Sequence, residues 1–503
     1  MLNYKLSDIQ NSTIDRIKQM SACVIALSPG TGKTLTILHF VKHFLLKDKN
    51  DKCLFFIPKS ARAAFEKEMT TRIKDKYILI HAGKQYEYKD IEKYKYIFIE
   101  STLINKYIET LVGIASTYNC HLIIDEAHSL QNPTSVFCKA AWEIRCYCKR
   151  VYAMTATPLM NSIDGLFNLM HFVFPRLFNS WIKFRSRYCI TQERTIRIRG
   201  RNGQQIQRKF TDIIGYKNLE ELNDTLDKLI IKGSVHYNVN FEFLECPLDE
   251  QSEKLYKYAS NGLFDIVYHP EKVKQKSKAI SDNVLDNTKD FGSRLHDLQR
   301  IVDYSDNAVY EKNKEFVSNK MQLLLDTTKS IIAKNESVLI YFEYIESLEL
   351  AEKLLLLNKE KIGFNNIYRL TGAEKEEHRS KIEANLGLKE IVLCSQAASQ
   401  SRNLQRANNI ICFHCPFSVG RTVQVLGRIC RMDSTFDHQN VYFISVSDTI
   451  DTYKTALFKK HLNLINALLG KEAIGTLENC TCQYLDVDLN DIKELKKTQL
   501  WRK

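Results

Sequence analysis

Short apolar runs recur through the first third of the chain, each closed by a polar, small or proline residue. They are Cys23–Leu27, Lys52–Ile57, Tyr96–Ile99, His121–Ile124 and Val151–Met154. Near-continuous apolar character over so few residues predicts strands buried on both faces. Between them, Leu35–Val41 and Ser60–Met69 carry helical spacing. Strands alternating with helices predict a parallel sheet covered on both sides, an α/β architecture. From about 176 to 330 the sheet-like runs give way to helical periodicity, with Leu219, Leu222 and Leu226 on one helix face. The runs return at Ser337–Phe342, Tyr368–Gly372 and Ile391–Ser395, which predicts a second lobe of the same kind. The expected organisation is a first lobe over 1–175, helical insertions and linker over 176–330, a second lobe over 331–470 and a tail over 471–503.

A chain of 503 residues has room for two or more cores, and 44% hydrophobic with 26% charged residues describes a globular protein. No run of 18 apolar residues occurs and the first residues lack an apolar signal core, so a soluble intracellular protein without a membrane partner is expected. Fourteen cysteines scattered through strand-like and helix-like runs read as buried free thiols. Cys412 and Cys415 flank His414 in ligand-type order, but they end a buried strand, which favours a core role over zinc. Cys480 and Cys482 lie in the tail with no second pair nearby. Lys and Arg outnumber Asp and Glu by 72 to 59, a net charge of +13. That excess favours a polyanionic partner.

The chemistry begins at Ser28-Pro29-Gly30-Thr31-Gly32-Lys33-Thr34, between a predicted strand and a predicted helix. Gly30 and Gly32 let backbone N–H groups converge, and the helix N-terminus adds positive charge, so Pro29, Gly30, Thr31 and Gly32 form a phosphate cradle. Lys33 would reach the β- and γ-phosphates of ATP and Thr34 would hold Mg2+. The strict form of this pattern has glycine where this chain has Leu27. Upstream, the Gln10 amide suits the edge of adenine.

A second motif follows the strand His121–Ile124. Asp125 can bind Mg2+ through its water shell, and Glu126 can position and polarise an attacking water. Ser60, Ser101 and Thr102 follow predicted strand ends, where ligands of parallel sheets bind, and are candidate nucleic-acid contacts. Arg194, Arg197, Arg199 and Arg201, with Gly200 and Gly203, predict an exposed basic hairpin suited to DNA phosphates. Far along the chain, Gln424-Val425-Leu426-Gly427-Arg428-Ile429-Cys430-Arg431 sets two guanidinium groups three residues apart on one helix face. Arg428 and Arg431 suit stabilisation of charge building on a transferring phosphoryl group.

Asp125-Glu126-Ala127-His128 together with Thr155-Ala156-Thr157-Pro158 resembles motifs of superfamily-two helicases and translocases. Pro158-Leu159-Met160-Asn161-Ser162, the helical run to Pro175, and Gln131-Asn132 resemble the Swi/Snf-type DNA-remodelling ATPases more closely. Gly372 with Arg379, Asn403-Leu404 and Ser447-Asp448-Thr449-Ile450-Asp451 resemble that family's second-lobe segments. The resemblance implies two RecA-like lobes with helical insertions between them and ATP in the cleft. It implies that Gln10 and Gln424 contact the nucleotide, that Arg428 and Arg431 reach ATP held by the first lobe, and that His128, Thr155 and Thr157 couple hydrolysis to movement. It further implies Gly372, Arg379 and Asn403 as nucleic-acid contacts and duplex DNA as the favoured partner; a monomer is expected. A strand-separating DNA or RNA helicase shares the core motifs. A non-hydrolysing nucleic-acid scaffold would carry a broken catalytic residue, and none of the catalytic positions is broken.

Overall fold

In the computed structural model of the chain the described residues are 4–28, 30–156, 158–159, 163–199, 205–233, 238–250, 252–253, 256–257, 291–304, 317–372, 374, 381–382, 385–395, 404, 406–415, 436 and 438–469. The chain divides into two compact units, the main boundary falling between residues 236 and 237. Among the described residues no helix is long and apolar enough to cross a membrane.

The first unit is built on a seven-stranded sheet, β1 (Ala22–Leu27), β2 (Asp51–Ile57), β3 (Tyr77–Ile80), β4 (Tyr96–Glu100), β5 (Asn119–Ile124), β6 (Arg150–Thr155) and β9 (Ile230–Gly233). The order is β3-β4-β2-β5-β6-β1-β9, parallel throughout. Helices α1 (Asp8–Lys18), α2 (Lys33–Phe40), α3 (Arg62–Glu68), α4 (Tyr88–Ile91), α5 (Ile108–Thr117), α6 (Val136–Arg145), α7 (Ile163–Val173), α8 (Trp181–Tyr188) and α9 (Leu219–Leu229) accompany it. The five predicted strands are present, and each is buried along nearly its whole length. Phe55 and Phe98 stack 4.5 Å apart on neighbouring strands, with Phe65 of α3 beside them. Each such side chain removed from water is worth about 2–3 kcal/mol, so this cluster anchors α3 to the sheet.

Strands β7 (Cys189–Arg199) and β8 (Gln205–Tyr216) form an antiparallel ribbon that pairs with neither large sheet. The second unit holds a six-stranded parallel sheet of order β10-β15-β14-β11-β13-β12, made of β10 (Asn238–Cys246), β11 (Val338–Phe342), β12 (Ile367–Leu370), β13 (Ile391–Ser395), β14 (Asn409–Cys412) and β15 (His438–Val446). Two parallel-sheet lobes are the expected fold class. Within 176–330 the hairpin expected around 194–201 is the β7–β8 ribbon, and the stretch differs from the helical expectation in contributing β9 to the first sheet and β10 to the second. Val239, Phe241 and Phe243 alternate with Asn240 and Glu242, a period of two that suits an edge strand paired on one side with β15.

A buried polar network ties the second unit together. The Asp303 carboxylate, on the helix Phe291–Tyr304, accepts from Lys320 Nζ (2.8 Å), His414 Nε2 (2.6 Å), Ser347 Oγ (2.6 Å) and Gln299 Nε2 (3.0 Å). Lys320 also reaches Asp451 at 2.8 Å, and its ammonium lies 4.4 Å from the centre of the Phe413 ring. Burial alone would raise the Asp303 carboxyl, but His414 and Lys320 hold it well below the usual carboxylate range. His414 Nδ1 accepts from the Glu343 backbone N–H at 3.1 Å, so both ring nitrogens are engaged. The ring therefore has no free nitrogen for zinc, and Cys412 and Cys415 are buried thiols outside any disulfide, pushed up by burial. Cys480 and Cys482 lie outside the described residues.

Candidate active site

The nucleotide-type motifs gather at the carboxyl edge of the first sheet because of strand order. Strand β6 lies between β1 and β5, so the loop after β1, Thr155 at the end of β6 and Asp125–Glu126 after β5 close three neighbouring parallel strands. Such an edge is where parallel sheets bind ligands.

Gly30 (φ 82°) and Gly32 (φ 76°) both sit in the left-handed region that the turn needs and that other residues resist. A Cβ on Gly32 would lie 2.4 Å from Gln10 Nε2. Gln10 is held there from two sides. Its Oε1 accepts from the Ser7 backbone N–H (2.9 Å) in a capping box that starts α1, and its Nε2 donates to the Gly32 carbonyl (3.3 Å). The amide expected to read adenine thus tethers α1 to the Gly30–Gly32 turn. Thr31 closes the turn by donating to the Ser28 carbonyl (2.8 Å). Lys33 opens α2, and its ammonium donates to the carbonyls of Leu27 (2.9 Å) and Ser28 (3.4 Å). Thr34, half-buried, follows it.

Leu27, where the strict pattern has glycine, is fully buried against β9. A Cβ on Gly233 would stand 2.6 Å from Leu27 Cδ2, and the Ser28 N–H donates to the Gly233 carbonyl (3.0 Å). A glycine on the neighbouring strand supplies the room that the missing glycine would have left.

Asp125 donates its backbone N–H to the Phe56 carbonyl (2.9 Å), which fixes the strand end. Burial, then the adjacent Glu126 carboxylate, pushes the Asp125 carboxyl up to about 7, against the pull of Lys33. Glu126 has φ 49°, an uncommon backbone state for a residue with a side chain, and lies 3.1 Å from His128 Nδ1. The following short helix Ala127–Gln131 is pinned to α7. Gln131 Nε2 donates to the Pro158 carbonyl (3.0 Å), and Asn168 Nδ2 donates to the Gln131 carbonyl (2.9 Å). Thr155 is fully buried at its strand end.

The three predicted hydroxyl contacts lie on the same edge, on the β2–β4 side. Ser60 sits half-buried in the turn Lys59–Ala61, Ser101 Oγ donates to the Ile57 carbonyl (3.0 Å), and Thr102 is exposed. The buried Glu100 carboxylate, 3.9 Å from Arg62, stands beneath this rim. Sequence reading missed it because one glutamate after an apolar run carries no motif. Gly372 is an exposed bend after β12. Pro29, Thr157, Arg379, Asn403, Gln424, Arg428 and Arg431 lie outside the described residues.

Residues 10–306 match the SNF2-related domain family, and residues 319–433 match the helicase conserved C-terminal domain. The chain belongs to the SNF2-related family. It is 23% identical over 473 residues to a CHD3-type chromatin-remodeling factor of Arabidopsis thaliana, covering 89% of this chain and 36% of that protein. A RAD54-like DNA repair and recombination protein of Drosophila persimilis is 24% identical over 462 residues, covering 82% of this chain and 56% of that protein. The chain therefore spans about a third to a half of the length of these relatives. The SWI2/SNF2 ATPase core of Sulfolobus solfataricus in complex with dsDNA aligns at 17% identity and a TM-score of 0.40, covering 99% of this chain and 97% of that one.

Proposed function

We propose that this chain is an ATP-driven translocase that moves along or remodels duplex DNA or protein–DNA complexes. Family membership supports the reading. One juxtaposition carries it: the Lys33 loop, Thr155 and the Asp125–Glu126 pair end three adjacent strands on one sheet edge.

The donor set fits a magnesium nucleotide. Two left-handed glycines form the turn after β1, and the ammonium, hydroxyl and carboxylates that such a ligand needs stand at this edge. Bound ATP with Mg2+ supplies the transferable phosphoryl group and the cation that offsets its charge. Lys33 neutralises the β- and γ-phosphates, while Thr34 and Asp125 hold magnesium. Glu126 orients and polarises the attacking water. As the family resemblance implies, Arg428 and Arg431 would stabilise the charge that builds in phosphoryl transfer, and Gln424 would contact the nucleotide. His128, Thr155 and Thr157 couple hydrolysis to movement, and Ser60, Ser101, Thr102, Gly372, Arg379 and Asn403 contact the nucleic acid.

The test is ATP hydrolysis by the purified chain with no nucleic acid, single-stranded DNA, duplex DNA or structured RNA, beside Glu126→Gln. Strong stimulation by duplex DNA, falling about 100-fold or more in the variant, is expected. Preference for single strands or RNA would replace the reading with a strand-separating helicase. Absence of hydrolysis throughout would leave a nucleic-acid scaffold.

A further inference from the structure

The edge of the first sheet opposite the Lys33 loop holds a cavity of about 670 Å3, a volume ordinary for a small-ligand site. Three stretches line it. Lys42 and Leu46 come from the turn Val41–Leu45 that continues α2 and the residue after it, Asp75 and Lys76 lie just before β3, and the segment from Lys93 to Tyr96 leads into β4. The phosphate-loop and acidic residues follow strands of this parallel sheet, whereas these residues precede them. About 15–20 Å of strand therefore separates the two edges.

Charge sets the cavity apart. Four of its lining residues are lysines and one is an acid. Both oxygens of that acid are engaged: Asp75 Oδ1 accepts from Lys42 Nζ (3.0 Å) and Oδ2 accepts from the Tyr96 hydroxyl (3.2 Å). Asp75 thus offsets Lys42 and leaves Lys76, Lys93 and Lys95. Lys76 is exposed and has no hydrogen-bond or ion-pair partner among the described residues. Lys93 stands 3.8 Å from Asp90, at the outer limit of an ion pair, and Lys95 donates to a neutral acceptor, the Asp48 carbonyl (2.8 Å). Two acids of the adjoining turns have partners of their own, since Asp51 accepts from the Asp48 N–H (2.6 Å) and Glu92 from the Tyr118 hydroxyl (3.3 Å). Ammonium groups around one cavity repel each other, and an anion between them removes that repulsion.

A buried cation holds the basic loop in place. Lys52 of β2 donates to the carbonyls of Glu92 and Tyr94, the latter at 3.0 Å, and its ammonium lies 4.2 Å from the centre of the Tyr118 ring. The Cys53 N–H adds a bond to the Lys95 carbonyl (2.8 Å). The backbone that carries Lys93 and Lys95 is fixed before a ligand arrives, which lowers the ordering cost of binding.

We propose that this cavity is a second anion site, taking a small, multiply charged phosphate of the inorganic tripolyphosphate type. Ammonium groups act on phosphate oxygens as compact point charges, and the lining contains no guanidinium fork that would favour a planar carboxylate. The site shares no residue with the Lys33 loop and does not depend on the ATP reading.

The test is isothermal titration calorimetry of the full chain with sodium tripolyphosphate at about 50 mM salt, where screening is weak. It is run on the parent and on Lys33→Ala, which removes binding at the phosphate loop. One site is expected to remain in Lys33→Ala. Adding Lys76→Gln/Lys93→Gln/Lys95→Gln to that chain weakens it at least about 10-fold, the combined worth of three exposed charge contacts. Arginine at the same three positions restores most of the affinity, which separates lost charge from a disturbed loop. The charge-matched Lys47→Gln/Lys49→Gln/Lys74→Gln, exposed positions outside the lining, keeps it. Absence of binding to Lys33→Ala, or an equal loss in the charge-matched variant, overturns the site. So does a cavity variant that weakens duplex-DNA binding as much as tripolyphosphate binding, because the lysines would then belong to a diffuse polyanion surface.

Discussion

Lys320→Met probes the buried network of the second unit. Lys320 is fully buried, its ammonium 2.8 Å from both the Asp303 and Asp451 carboxylates. The methionine keeps most of the volume and the contact with Phe413 but removes the cation shared by two buried carboxylates. Breaking such a pair by deleting one partner costs about 3–5 kcal/mol. A second route gives the same size. If Asp303 takes a proton instead, carrying its carboxyl from the ordinary value near 4 to pH 7 spans about three pKa units at about 1.4 kcal/mol each, or about 4 kcal/mol. In a unit of about 250 residues this lowers the melting transition by roughly 8–16 °C. The pH signature is specific. In the parent, Asp303 is held low, so its contribution is present throughout pH 5–7.5 and is lost only as acid drops below the ordinary carboxylate range. In the variant His414, the larger of the two groups that hold Asp303 low, still donates to it at 2.6 Å, so what is lost is the part of the depression that Lys320 supplied, full above the ordinary carboxylate range and shrinking as pH falls through it. Differential scanning calorimetry at pH 7.5, 5 and 3.5 reads both effects. A loss under about 1 kcal/mol, or a gap that does not change with pH, refutes the view that Lys320 neutralises a buried acidic pair.

Gly165→Ala would place a Cβ 2.5 Å from Gln131 Oε1 and 3.2 Å from Gln131 Cβ, too close for a rotamer change alone to relieve. The expected loss is about 1–3 kcal/mol in thermal unfolding, with Gln131→Ala recovering part of it in a double-mutant cycle. Gln10→Ala and Ser7→Ala each break the capping box and lower stability by about 1 kcal/mol, but only Gln10→Ala relaxes the preference for ATP over GTP in steady-state hydrolysis if the amide also reads the base. Equal nucleotide preference in the two variants would confine Gln10 to the tether. Iodoacetamide followed by peptide mass mapping should label the exposed Cys146 in the native protein, and leave the buried Cys23, Cys53 and Cys412, pushed up by burial, unlabelled until unfolding.

Five strands of the first sheet were legible because they are buried on both faces, so each appears as an apolar run that needs no knowledge of its neighbours, whereas the short edge strand β3, only partly buried, did not stand out. β9 escaped for the opposite reason. Four residues continuing directly from α9 carry no boundary signal, and what makes them a strand is the free edge of β1. β10 did carry a signal, the alternation of Val239, Phe241 and Phe243, but its pairing partner lies about 200 residues further on and nothing local says which sheet it joins. The same division runs through the site. Lys33, Asp125 and Glu126 could be read because their roles follow from residue type at a fixed offset from a strand end. Gly233 could not, since its meaning is relational. It is a glycine because Leu27 stands where the strict phosphate-loop pattern has glycine, and the steric room has moved to the adjacent strand. Leu27 and Gly233 are thus one feature written at two positions about 200 residues apart. A Leu27→Gly variant would restore the pattern yet remove a fully buried side chain, opening a void beside Gly233 and costing about 3–5 kcal/mol. Recovery of that loss in Leu27→Gly/Gly233→Leu, measured by thermal unfolding, would show that the two positions share one volume. Strict additivity of the two changes would show that the glycine serves only the backbone bond to Ser28.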